Sequence, residues 1–98
     1  MTVDASVISG SSVVKLARGV RLREDSVRGR TVLLAPERAI ALDDIAIRIV
    51  QALDGKRSLD CIATDFAATF EAPAAQIGND VVAFVKELSL RRMLELVQ

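Results

Sequence analysis

Thr31-Val32-Leu33-Leu34-Ala35-Pro36-Glu37-Arg38-Ala39-Ile40-Ala41-Leu42-Asp43-Asp44-Ile45-Ala46 is where the chain changes period, and that change decides the fold. Thr31 to Ala35 is a short apolar run. Period alone does not separate a strand from a buried helix over five residues, but the Gly29 before it and the Pro36 after it favour a strand. Ala39-Ile40-Ala41-Leu42 is a second such run, alternating small and large residues. At Asp43 and Asp44 the pattern switches. Either carboxylate can cap a helix, and Ile45, Ile49 and Leu53 follow at four-residue spacing with Ala46 and Val50 beside them.

Upstream, Val20-Arg21-Leu22-Arg23 alternates apolar and basic residues, the period of a half-buried strand, and Arg28-Gly29-Arg30 supplies the turn into the next. Downstream, Asp54-Gly55 closes the first helix and Ser58 caps the second, whose apolar stripe is Leu59, Ile62, Ala63, Phe66 and Phe70. Pro73 suits the first turn of a third helix, with Ile77, Val81, Phe84, Val85 and Leu88 as its stripe. Met93, Leu94 and Leu96 make an apolar tail, either a helix extension or a closing segment. The expectation is an α+β domain, a three-stranded antiparallel sheet followed by three helices in a winged-helix-like set. Residues 1–14, rich in Ser and small side chains, read as a disordered lead-in to a single domain spanning 15–98.

Composition removes many chemistries. The 98 residues contain no His, Tyr or Trp and a single Cys, Cys61. Without His, the usual general base near neutral pH and the commonest metal ligand are gone. One Cys excludes an intrachain disulfide or a multi-cysteine metal site. Thirteen basic residues balance thirteen acidic ones, which argues against a general polyanion binder. An enzyme could still be built from Asp, Glu, Lys and Arg, but most familiar site designs are excluded, and the expectation is a non-enzyme with no metal and no cofactor. It shows no signal peptide and no membrane-spanning run, so a cytoplasmic monomer is expected.

Each feature that stands out has two readings. Arg21 and Arg23 share one side of their strand, as a docking face or as a solvated surface. The strand 39–42, if it is a sheet edge, offers unpaired main-chain groups to a partner peptide; alternatively it is covered or simply tolerated. Gly78 inside the third helix permits a close approach or is a weakness held by its neighbours. Asp43, Asp44, Asp60, Asp65 and Asp80 read as caps and surface charges before they read as acid–base groups. Cys61 reads as a small, partly buried hydrophobe.

Several stretches together resemble the PqqD family of pyrroloquinoline quinone biosynthesis chaperones: Gly19-Val20-Arg21-Leu22-Arg23, Val27-Arg28-Gly29-Arg30, Val32-Leu33-Leu34-Ala35-Pro36-Glu37-Arg38, Leu42-Asp43, Leu53-Asp54-Gly55 and the helix around Asp80-Val81. Two positions depart from the family pattern. Thr31 stands where a large aromatic is common, and Arg92 where a Gly is common. The resemblance implies a leader-peptide recognition element that binds the precursor peptide PqqA and presents it to the radical S-adenosylmethionine enzyme PqqE. It also implies that the peptide lies along the third strand and against the third helix. Expected contacts are Arg38, Ala39, Ile40, Ala41 and Leu42 on the strand, and Gln76, Ile77, Asp80, Val81 and Phe84 on the helix, with Arg21 and Arg23 docking a partner. The alternative is a winged-helix nucleic-acid-binding domain. That reading needs a basic recognition helix, and the third helix carries Asp80 and Glu87 against Lys86.

Overall fold

The structure, a computed structural model, describes residues 7–97. The elements run β1 (Val14–Leu16), β2 (Arg21–Asp25), β3 (Arg30–Ala35), β4 (Arg38–Leu42), α1 (Asp44–Ala52), α2 (Leu59–Phe70), α3 (Ala74–Leu90) and β5 (Leu94–Leu96). The order of three strands and three helices is as expected. β2, β3 and β4 form an antiparallel sheet in that order, so β4 is an edge. β1 and β5 pair antiparallel in a second, two-stranded sheet that the periodicity did not reveal.

Register decides what the three-stranded sheet buries. Leu22, Leu33 and Ile40 lie opposite one another across β2, β3 and β4. Leu33 is fully buried and its neighbours Leu22, Ile40 and Leu42 pack against the same core, so this face looks toward the helices. Its partners in the core are Ile49 and Val50 of α1, Leu59 and Ile62 of α2, and Val81, Val85 and Leu88 of α3. Strand alternation sends Arg21, Arg23, Val32, Leu34, Ala39 and Ala41 to the opposite, uncovered face.

Helix ends follow the expected chemistry. Asp43 caps α1, its Oδ1 accepting from the Ala46 N–H at 2.7 Å, and Ser58 Oγ accepts from the Cys61 N–H at 3.1 Å. The turn between α1 and α2 is built on Asp54. Its Oδ1 accepts from the N–H groups of Lys56 and Arg57, and its Oδ2 accepts from Arg57 Nε at 3.0 Å. Arg57 also donates to Asp65 Oδ2 at 2.7 Å and to the Ala52 carbonyl oxygen, so one guanidinium joins the end of α1 to the side of α2. The backbone N–H groups of Arg57 and Lys56 are the main reason the Asp54 carboxyl is held down to about 2. A depressed carboxylate contributes stability above its ordinary value near 3.8, and the contribution is lost as pH falls toward 2. Asp54→Asn is therefore expected to flatten the acid limb of a stability–pH curve between about pH 4 and pH 2. An unchanged pH dependence of the urea-unfolding free energy over that range would contradict this.

α3 closes in a Schellman arrangement. The Met93 N–H donates to the Leu88 carbonyl oxygen and the Arg92 N–H to that of Ser89, with Arg92 at φ +59°. This explains the departure at Arg92: the left-handed residue of such a motif is favoured as Gly, which has no Cβ to strain. Arg92→Gly is expected to stabilise the fold by about 1 kcal/mol, read as a raised urea midpoint at constant m-value.

Three sequence expectations need correction. The disordered lead-in was placed over 1–14. Residues 1–6 lie outside the described residues, but Ile8, Ser12, Val13 and Val14 are buried, and Ile8 belongs to the main core. The carbonyl oxygens of Gly10 and Ser12 accept from the N–H groups of Asp60 and Leu59. A main-chain segment thus satisfies free donors at the start of α2, a cap made by distant sequence. Second, Ile45 and Phe70, read as core positions, are 55% and 41% exposed. Third, Cys61 is exposed, since it falls on the solvent side of α2 next to Asp60.

Candidate functional site

The edge strand β4 leads directly into α1, with only Asp43 between them. Among the described residues no strand pairs with the free side of β4. Such an edge presents unpaired N–H and C=O groups in a row. Its alternation divides the predicted strand residues between two faces. Arg38, Ile40 and Leu42 point inward; Ala39 and Ala41 point to the uncovered face. Arg38 Nη1 donates to the Arg91 carbonyl oxygen at 3.4 Å, which ties the start of β4 to the end of α3.

The three helices leave a small apolar cavity of about 250 Å³ between them, whose α1 wall starts at Ile45, in the first turn after β4. Ile45, Arg48 and Ile49 of α1 form one wall, Phe66 and Phe70 of α2 a second, and Ile77, Asp80 and Val81 of α3 the third. It is smaller than the roughly 300–1,000 Å³ of a small-molecule site and suits inserted side chains. Its aromatic wall is ordered. Phe66 and Phe70 meet edge to face at 5.9 Å, and the Arg48 guanidinium carbon lies 5.3 Å from the Phe70 ring centroid. Asp80 is exposed, so the cavity has an apolar floor with one basic and one acidic residue in its walls.

Of the predicted helix residues, Ile77, Asp80 and Val81 come together in this cavity. Val81 is 1% exposed and serves the core as well as the floor. Gln76 is exposed on α3 and Phe84 is half-buried against the core, and neither lines the cavity. Ile45, Arg48, Phe66 and Phe70 are the residues that sequence reasoning missed as a site. The available signal was position. Ile45 sits in the first turn of α1 and Phe70 at the last residue of α2, so both overhang the ends of the core they were assigned to. Exposed large apolar side chains grouped at a concavity mark interaction sites.

Arg21 and Arg23 lie on the uncovered face of the sheet, opposite Leu34 and Val32. They are therefore on the far side of the sheet from the helix cavity. No helix of the described residues is long and apolar enough to cross a membrane.

Comparison with known proteins gives a consistent result. The family model described as coenzyme PQQ synthesis protein D (PqqD) matches residues 30–94. A PqqA binding protein of Rhizobium meliloti (strain 1021) is 74% identical over 98 residues, covering all of both chains. The bifunctional coenzyme PQQ synthesis protein C/D of Methylorubrum extorquens is 42% identical over 94 residues, 96% of this chain and 25% of its own length. Among solved structures, the solution structure of the PqqD truncation of Methylobacterium extorquens PqqCD superimposes with a TM-score of 0.81 at 41% identity, covering 95% of this chain and 99% of that one. That truncation is described as a functional, stand-alone recognition element for ribosomally synthesised and post-translationally modified peptides.

Proposed function

This chain belongs to the PqqD family, and we propose that it is a non-catalytic chaperone that binds the precursor peptide PqqA and presents it to the radical S-adenosylmethionine enzyme PqqE. The observation that supports the reading is the free edge of β4 followed, within the first turn of α1, by the apolar cavity walled by Ile45, Phe70 and Ile77. A disordered peptide that adds as a strand gains main-chain hydrogen bonds at the edge without demanding a sequence. Side chains on one side of that strand then meet Ile40, Leu42 and the cavity, which supplies selectivity for apolar anchors. Ordering the peptide costs conformational entropy, so the apolar anchors must offset it.

The contact set proposed for the peptide combines the edge with the cavity. Arg38 to Leu42 offer the edge, and Ile77, Asp80 and Val81, with Ile45, Arg48 and Phe70, form the anchor site. Gln76 and Phe84 flank it on α3. No acid–base pair is needed, because the chemistry belongs to the enzyme; the chaperone raises the local concentration of the peptide's reactive segment there. Fusion of a related segment to a second pathway protein in Methylorubrum extorquens fits a module whose work is to hold a substrate near an enzyme. The charge of α3 speaks against the nucleic-acid alternative: its sequence AAQIGNDVVAFVKELSL holds two acidic residues and one basic one.

The test is a titration of PqqA followed by anisotropy of the peptide's own Tyr fluorescence, since this chain has neither Tyr nor Trp. Saturable binding is expected. Absence of binding up to about 1 mM, equivalent to about −4.1 kcal/mol, with and without PqqE, would overturn the reading.

A further inference from the structure

The three-stranded sheet has one face that no element of the described residues covers. Two rows cross it: Arg21, Leu34 and Ala39 in one, and Arg23, Val32 and Ala41 in the other. The centre is aliphatic and small, with Val32 and Leu34 half-buried and Ala39 and Ala41 exposed. The β2 side is basic. Among the described residues, no carboxylate lies within ion-pairing distance of Arg21, Arg23 or Arg30, whereas Asp25, the one acid on this face, is engaged by Arg28 at 3.9 Å. The hairpin between β2 and β3 rises beside this surface. It leaves a trough of about 430 Å³ over Arg23, Arg30, Val32, Leu34 and Ala39, with Glu24, Asp25 and Arg28 at its hairpin end.

Strand alternation connects this face to the peptide edge. A strand added beside β4 lies about 4.8 Å from it, and every second side chain must point to the same face as Ala39 and Ala41. The bound peptide would therefore enlarge the uncovered face, while its other side chains enter the helix side. From this register we infer that the outer sheet face docks an acidic-rimmed apolar surface of the peptide-modifying enzyme, and that the enzyme reads peptide and chaperone there as one continuous sheet. Charge complementarity selects the partner. Three unpaired guanidinium groups beside a small aliphatic strip fit a protein surface bearing carboxylates around an apolar centre, and such charges act chiefly on encounter and specificity. Ala39 and Ala41 leave the strip flat, so the peptide's outward side chains become its most prominent features. The docking surface is then complete only when the peptide is in place.

The inference rests on the peptide-binding reading, and the two are separable by experiment. Enzyme affinity is measured for the full chain, empty and saturated with PqqA, using PqqE as the probe. The loaded chain is expected to bind PqqE at least about 5-fold more tightly, and by reciprocity PqqE must raise PqqA affinity by the same factor. Arg21→Glu combined with Arg23→Glu, both exposed positions, is expected to lower PqqE affinity of the loaded chain at least tenfold while PqqA affinity stays within twofold. Arg21→Gln with Arg23→Gln is expected to give a smaller loss in the same direction and keeps the test valid if charge reversal disturbs folding. Intact PqqA binding with equal PqqE affinity for empty and loaded chain overturns the inference alone. Undiminished PqqE binding by both double variants does the same. No PqqA binding by the unaltered chain overturns the peptide-binding reading and this inference with it.

Discussion

Ile45→Asp combined with Phe70→Asp lowers PqqA affinity by at least about 100-fold, or about 2.7 kcal/mol, with little loss of fold stability. Both side chains are substantially exposed in the free chain, so a carboxylate there remains solvated, and the cost to the fold is confined to about 1 kcal/mol for the lost Phe66–Phe70 contact. In the complex the same positions would be covered by the peptide's apolar anchors. Two uncompensated carboxylates would then be desolvated against them, which is expensive. Isothermal titration on each variant, with thermal unfolding as the control, checks both halves. Binding within threefold of the unaltered chain would remove the three-helix cavity from the peptide site.

Ile8→Ala costs the fold about 2–4 kcal/mol, a drop of roughly 10–30 °C in the unfolding midpoint for a domain of this size. Ile8 is 2% exposed and lies in the main core with Val14, Leu59 and Ile62. Its removal also loosens the carbonyls of Gly10 and Ser12 that cap α2. The segment passes so close to α2 at Gly10 that a Cβ there would run into the Asp60 carboxylate. The expected loss is structural, and peptide affinity at a temperature where the variant is folded should hardly change. A loss under 0.5 kcal/mol would mean that the segment before β1 is dispensable.

These two results bracket what was legible in the sequence. The antiparallel strands and three helices were readable because local signals agreed: alternation in 20–23, Pro36 closing a strand, Asp43 and Ser58 as caps, and three apolar stripes at helical spacing. The β1–β5 pair was not, since three-residue strands carry too little period and their partners are some 80 residues apart. Ile8 was hidden for the same reason. A Val-Ile pair between serines has no local signature, and only tertiary packing shows that Ile8 is buried while Val7 is exposed. At the site, 39–42 was legible as a strand, but its place at the sheet edge and the division of Ala39 and Ala41 from Ile40 and Leu42 needed the strand order and the register with Leu33. Ile45 and Phe70 fit their stripes by spacing, and the stripe does not say where the core ends. The motif at Arg92 became intelligible only through its positive φ and the two hydrogen bonds that close α3.

The central claim is that the peptide joins the sheet at β4. Intermolecular NOEs between isotope-labelled chain and unlabelled PqqA test it most directly. The account predicts backbone contacts from the peptide to Arg38–Leu42 and side-chain contacts to Ile45, Phe70 and Ile77. Contacts confined to the opposite edge at Arg21–Asp25, or to helices with none at β4, would contradict it.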